Sequence, residues 1–344
     1  MLSPGSGFVG IPQPLPSHFR HLRSRTHRRR KGRVGGVLAI VAPGQGAQTP
    51  GFLAAWLEEP SFRTRLEWLS AVADTDLVAH GTTSDAETIR DTAVAQPLLV
   101  ASALATAEQL SPAVTGLADV VAGHSVGELA AAAMAGVVSA ESAMVLVRER
   151  GRGMAEASAV TPTSMTAVIG GDREEVLAAI EAAGLTPANN NGSGQIVAAG
   201  TKEQLAALAD NAPRRARLIP LSVAGAFHTH HMAPAVARLE ALTAAVPTED
   251  PRTGLLSNAD GAVVTSGREY LERLVRQVAN PVRWDLCMET MSGLGVTGIL
   301  ELVPAGTLTG IAKRNLKGVE LFNLNTPDQL DEARSFCETH STRA

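Results

Sequence analysis

The strongest constraint on this chain is the order of residues 118–134. An apolar run of strand character, Ala118 to Ala122, meets Gly123-His124-Ser125-Val126-Gly127, and an Ala-rich helical segment through Met134 follows at once. A Gly-x-Ser-x-Gly match becomes informative in that setting, because a sharp strand-to-helix turn lifts one Ser hydroxyl out at a helix N-terminus. The flanking glycines are needed where a tight turn brings backbone segments together and leaves no room for a Cβ. The residue after the Ser, Val126, then offers a backbone N–H toward whatever the Ser attacks. The bland alternative is a Ser that merely caps a helix after an ordinary βα turn.

A strand-turn-helix of this kind needs a sheet to join. Val37-Leu38-Ala39-Ile40-Val41-Ala42 is apolar throughout, as a parallel strand covered on both faces must be. The loop leaving it, Pro43-Gly44-Gln45-Gly46-Ala47-Gln48, has two glycines around a Gln and can expose backbone amides. Its spacing fails the dinucleotide-binding pattern. Residues 52–116 read as mostly helical, with Gln96-Pro97 introducing a helix from Leu98 to Leu110. Ser139-Ala140-Glu141 starts another helix, expected over Ala143 to Met154. Arg148, Glu149 and Arg150 crowd its end, either as a solvated face or with Arg150 turned inward.

The pattern changes between residues 161 and 223. Strands at Met165–Ile169, Gln195–Ala199 and Arg217–Val223 alternate with helices at Arg173–Ala183 and Lys202–Asn211. This predicts a small βαββαβ subdomain with one strand unplaced and an Asn189-Asn190-Asn191-Gly192 turn between its halves. The expected organisation is a large α/β domain with a parallel sheet over 37–160 and 224–344, interrupted by this subdomain over 161–223.

Composition bounds the partners. Eight of the 30 basic residues, and none of the 34 acidic ones, fall within residues 1–33, so the remainder is acidic and carries no nucleic-acid footprint. Residues 1–36 are Pro-, Gly- and Arg-rich without apolar periodicity and read as a disordered basic extension. That extension is either a tail for an acidic partner or nucleic acid or, the reading preferred, an extension from an upstream start with the working protein beginning near Val37. Two cysteines provide neither a disulfide framework nor a metal cluster, which fits a reducing cytoplasm. No apolar run approaches a membrane span. His228, His230 and His231 lack i, i+4 ligand spacing and an acidic third ligand, so a base for a distant Ser is preferred to a metal site.

Five ordered motifs carry a resemblance. Gly44-Gln45-Gly46-Ala47-Gln48, Gly123-His124-Ser125-Val126-Gly127-Glu128, Arg150-Gly151, Gly225-Ala226-Phe227-His228 and Gln277-Val278-Ala279-Asn280-Pro281-Val282 together resemble the malonyl-CoA:acyl-carrier-protein transacylase family. The likeness runs from about Val37 to about Asn325. It implies a hydrolase-like α/β domain interrupted by a ferredoxin-like subdomain. It implies Ser125 as the nucleophile, His228 as general base and acid, and a backbone carbonyl near Gln277 that orients the imidazole in place of a carboxylate. It further implies an oxyanion hole from the amides of Gln45 and Val126, and Arg150 as the group that binds the malonyl carboxylate. Phe227 would crowd out a branching methyl, and His124 would be structural or a supporting hydrogen-bond donor. The implied substrates are malonyl-CoA and the phosphopantetheine arm of an acyl carrier protein, of fatty-acid or polyketide synthesis. No bound cofactor is expected, and nothing in the sequence demands more than a monomer.

The resemblance is imperfect in two loops. Val303-Pro304-Ala305 and Asn191-Gly192-Ser193-Gly194-Gln195 depart from the family's pattern, a difference of loop geometry and not of chemistry. Lys313 and Arg314 are either a phosphate or carrier-protein contact or a solvated helix end. A serine esterase or thioesterase is the competing reading. Such enzymes place an Asp or Glu between Ser and a late His, whereas His228 precedes the last third of the chain. A non-catalytic binding module is the third reading, and the joint presence of Ser125, His228 and Arg150 argues against it.

Overall fold

A computed structural model describes residues 35–111 and 114–342. The basic segment 1–34, where a disordered extension was expected, lies outside the described residues. Ten strands are described: β1 (Leu38–Ala42), β2 (Val120–Gly123), β3 (Thr163–Gly170), β4 (Thr186–Asn190), β5 (Gln195–Thr201), β6 (Ala216–Pro220), β7 (Gly254–Leu255), β8 (Val282–Arg283), β9 (Gly298–Glu301) and β10 (Glu320–Asn323). They form two five-stranded sheets.

The first sheet runs β10-β9-β1-β2-β7 and every neighbouring pair is parallel. All residues of β1 and β2 are buried, as strands covered on both faces must be. Helices α1 (Pro60–Ala73), α2 (Leu77–Thr82) and α3 (Thr92–Leu110) separate β1 from β2. Helices α4 (Gly127–Met134) and α5 (Ala140–Val160) follow β2. Because β1 and β2 pair with Ala42 opposite Gly123, the loops that leave them emerge side by side. In a parallel sheet the carboxyl ends of the strands are where a ligand crevice forms.

The second sheet runs β6-β3-β5-β4-β8. Its first four strands are antiparallel, and α6 (Arg173–Ala182) and α7 (Lys202–Asp210) connect them. Val168, Ile180, Leu185, Ile196 and Leu208 form its own small core. The strand left unplaced by the sequence is β4. It takes up Asn189 and Asn190, which were expected in a turn, and the turn itself begins at Asn191. Asn is a poor strand former, but here β5 and β8 flank it on both sides and supply its ladder. That β8 comes from the last third of the chain ties this sheet to the segment carrying α8 (Ala233–Ala245), α9 (Gly267–Gln277), α10 (Trp284–Leu294), α11 (Thr307–Asn315) and α12 (Leu330–His340).

Two helix boundaries differ from expectation. Helix α3 starts at Thr92, where Asp91 caps it by accepting from Ala93 N at 2.7 Å, so Pro97 lies inside the helix. The local signal of a Pro-led start loses to a helix buried over most of its length. Helix α5 reaches Val160 and passes through the charged cluster.

Candidate active site

The strand-turn-helix expected around Ser125 is present. A Cβ at Gly123 would fall 1.9 Å from Gly127 C, and one at Gly127 would fall 2.3 Å from Ala42 O. Both glycines are therefore dictated by close approach of backbone. Ser125 itself has φ of 53°, a strained conformation for a non-glycine residue that holds its hydroxyl out of the turn.

Ser125 Oγ donates to His228 Nε2 at 2.7 Å. His228 Nδ1 donates to the main-chain carbonyl of Gln277 at 2.8 Å. A carbonyl only accepts, so the proton resides on Nδ1 and Nε2 is left free to take the Ser proton. His228 is also at positive φ, 61°, and is almost fully buried. Burial, and secondarily the Arg150 cation, hold its pKa down to about 3, against hydrogen bonds to Gln277 and Asn280 that raise it. The imidazole is thus neutral, as a base must be.

Arg150 is the charge from the crowded helix end that turns inward, 2% exposed. It is placed by α5 lying close to α3: a Cβ at Gly151 would sit 2.9 Å from Thr92 O. Its Nη1 donates to Gln96 Oε1 at 2.7 Å and its Nη2 to Gln277 Oε1 at 2.8 Å. Nη2 also lies 3.4 Å from Ser125 Oγ. Nε has no protein acceptor among the described residues. Burial lowers the guanidinium pKa to about 10, so it remains a cation at neutral pH.

The loop after β1 lies against the Ser-bearing turn, since a Cβ at Gly44 would fall 2.9 Å from His124 Nδ1. Among the described residues the backbone amides of Gln45 and Val126 donate to no protein acceptor. The Gln45 side chain donates to Arg90 O at 3.2 Å. His124 Nε2 and Asn191 Oδ1 are 3.0 Å apart, and the His124 ring meets Trp284 edge-on with centroids 5.7 Å apart. Burial lowers the His124 pKa. Phe227 is buried in the main core immediately before His228. His230 and His231 lie against each other with their rings tilted by 34° and centroids 4.1 Å apart. Among the described residues no three His, Cys, Asp or Glu side chains are grouped to hold a metal. Arg314 is engaged with Gln195 Oε1 at 2.9 Å.

Several polar residues of the site carried no assigned role in the sequence. Asn258 is fully buried and follows β7, the strand beside β2. Its Oδ1 accepts from Ser125 N at 2.8 Å, and its Nδ2 donates to Gly123 O at 2.8 Å. Glu128 is buried beneath the turn and accepts from Asn258 N and Gln277 Nε2, both at 2.7 Å. Tyr270 donates to it at 3.3 Å. Glu128 was legible as the only acid on an otherwise apolar, Ala-rich helix. Gln96 and Asn258 had no comparable local signal. A separate cavity of about 690 Å³ borders the second sheet and α10, but Ser125, His228 and Arg150 do not line it. Its arginines, Arg173 and Arg283, are both engaged with Asp285.

A half-buried Ser paired with a buried His, with a buried cation beside the hydroxyl, suits covalent transfer of a short acidic acyl group. Comparison with known proteins points the same way. A family model of the acyl transferase domain matches residues 40–320. A malonyl CoA-acyl carrier protein transacylase of Mycobacterium tuberculosis is 49% identical over 298 residues, covering 86% of this chain and 99% of that protein. The protein of the same name from Escherichia coli is 33% identical over 302 residues, covering 86% and 98%. Among solved structures, the Mycobacterium tuberculosis protein superposes with a TM-score of 0.84 over 87% of this chain and 99% of its own. A malonyl-transacylase solved in complex with a type II polyketide acyl-carrier protein superposes at 0.80, with 31% identity over 87% of this chain and 99% of its own. With the family model spanning most of the chain and such relatives covered almost end to end, this chain belongs to the acyl transferase domain family that includes the malonyl CoA-acyl carrier protein transacylases.

Proposed function

We propose that this protein moves the malonyl group from malonyl-CoA to the phosphopantetheine thiol of an acyl carrier protein through a malonyl-Ser125 intermediate. The observation that carries the reading is the Ser125–His228–Gln277 carbonyl relay with the Arg150 guanidinium 3.4 Å from the same hydroxyl. A malonyl carboxylate lies one methylene from the thioester carbonyl, so its binding group has to sit this close to the nucleophile. A longer acyl chain would run into Arg150, and an acetyl group would leave the buried cation without a partner.

His228 Nε2 takes the Ser125 proton as Oγ attacks the thioester carbonyl. The amides of Gln45 and Val126 stabilise the oxyanion, each by about 3 kcal/mol. As the intermediate collapses, His228 returns the proton to the departing CoA thiolate. The carrier thiol then gives its proton to His228, attacks the malonyl ester, and Ser125 Oγ leaves as the hydroxyl. No bound cofactor takes part. Phe227 crowds the acyl Cα against a branching methyl. His124 braces the turn through Asn191.

The antiparallel order of β3–β6 and its two helices fit a ferredoxin-like subdomain set into the larger domain. No helix among the described residues is long and apolar enough to cross a membrane. We infer a monomer that works in the cytoplasm on a fatty-acid carrier.

Intact-mass measurement after separate incubation with malonyl-CoA and acetyl-CoA tests the proposal. A malonyl adduct absent from Ser125→Ala and passed to holo carrier protein is expected. Steady release of free malonate and CoA without carrier loading would instead establish a hydrolase. Parallel loading of fatty-acid and polyketide carriers decides between those two acceptors.

A further inference from the structure

Glu128 is the one buried acid at this site, and the steps above do not use it. Burial raises its pKa to about 7, despite four hydrogen-bonded or charged neighbours that lower it. A carboxylate is not placed there for stability alone, since burying a charge costs several kcal/mol unless it is well paired. Its two oxygens have different partners. Oε1 accepts from Asn258 N, which belongs to the residue that holds Ser125 N. Oε2 accepts from Gln277 Nε2. Oε2 and the main-chain carbonyl of Ser125, 2.9 Å from the same nitrogen, both accept, so the amide of Gln277 presents its NH2 to this side, with the shorter bond to Glu128. The amide oxygen then faces the other way, where it accepts from Arg150 Nη2.

We propose that Glu128 is a positioning residue for substrate selection, whose carboxylate turns the Gln277 amide so that its oxygen aims the Arg150 guanidinium beside Ser125. The inference rests on the malonyl-transfer reading. An amide interposed between acid and base has a consequence that a direct ion pair would lack. A Glu in contact with Arg150 would compete with the substrate carboxylate for the same fork of donors. With Gln277 between them the cation is oriented and partly compensated, yet its charge stays available to the ligand.

Glu128→Gln separates the two branches. The new side chain keeps an oxygen for Asn258 N and Tyr270, so the Ser125 branch is retained. It places an NH2 against the Gln277 NH2, a repulsion that pushes this amide out of the position in which its oxygen aims Arg150, while Ser125 O still accepts from it. The experiment measures malonyl and acetyl loading from the CoA thioesters, together with sulfonylation by phenylmethanesulfonyl fluoride, in wild type and Glu128→Gln. Expected is a loss of about 10-fold or more in malonyl kcat/KM, with acetyl loading and sulfonylation within about 3-fold of wild type. Glu128→Asp, which still only accepts, should keep the malonyl preference. An unchanged malonyl-to-acetyl ratio in a wild type that loads malonyl overturns the inference. So does an equal fall in all three reactions, which would mean general support of the fold. A wild type that takes no malonyl sinks the function reading itself. If Glu128→Gln does not fold, Gln277→Leu replaces it, since it keeps the main-chain carbonyl for His228 and deletes the intervening amide together with its bond to Ser125 O, whose loss sulfonylation of Ser125 reads separately. Retention of malonyl preference in that variant would also overturn the inference.

Discussion

Arg150 and His228 are coupled through charge, and single substitutions should show it. Arg150→Ala removes the donor fork and is expected to lower malonyl kcat/KM by about 100-fold or more, as loss of a buried charge partner predicts. Acetyl loading should fall far less, and a steady-state comparison of the two thioesters checks this. Arg150→Lys should rescue only in part, because an ammonium lacks the planar fork. The cation also depresses the His228 pKa, together with burial and His124. In Arg150→Ala the acid limb of the acetyl-loading profile is therefore expected to move to higher pH. An unmoved limb would mean that burial alone sets the base.

At the scale of elements, what positions the site is close packing of backbone at glycines. Gly151 lets α5 approach the first turn of α3, and Gly151→Ala would press a methyl against Thr92 O at 2.9 Å. Overpacking of this kind costs about 1–3 kcal/mol. Because Arg150 and Gln96 sit on the two helices being separated, malonyl loading should drop further than the melting temperature implies. Gly123→Ala is expected to be worse, since its Cβ would overlap the backbone of Gly127 at 1.9 Å and neither segment can yield alone. Soluble yield and thermal unfolding of the two variants would rank them, and a Gly123→Ala protein as stable as wild type would contradict the close approach.

For the whole molecule, the buried site makes stability depend on pH with two opposing signs. His228 has its folded pKa lowered from 6.5, so the stability it leaves intact above that value is lost as pH falls toward 3. Glu128 has its folded pKa raised from 4.5 to about 7. Its contribution is fully present below pH 4.5 and lost as pH rises through 7. Glu128→Gln removes only the second term. Relative to wild type, the variant should therefore gain stability between pH 5 and pH 8, by up to about 3 kcal/mol from the size of the shift. Denaturant unfolding at the two pH values measures it, and an unchanged difference from wild type over that interval would show that Glu128 is ionised throughout.

Local order in the chain was enough to determine the Ser125 turn. Strand, glycines and helix are contiguous there, and the steric demand that selects Gly123 and Gly127 acts within a few residues. The parallel β1, the alternation of three strands with two helices after residue 161 and the candidate roles of His228 and Arg150 were legible for similar reasons of pattern or motif. The start of α3 and strand β4 were not, because burial and flanking strands overrode the local signals of Pro97 and the Asn run. Only the tertiary structure could decide which groups surround the nucleophile. Ser125 meets His228 across 103 positions, Asn258 across 133, and Gln277 reaches Glu128 across 149. No periodicity or spacing encodes such pairs. They exist because adjacent parallel strands deliver their carboxyl ends to one crevice, where a buried polar atom left unpaired is costly and most of them find a partner.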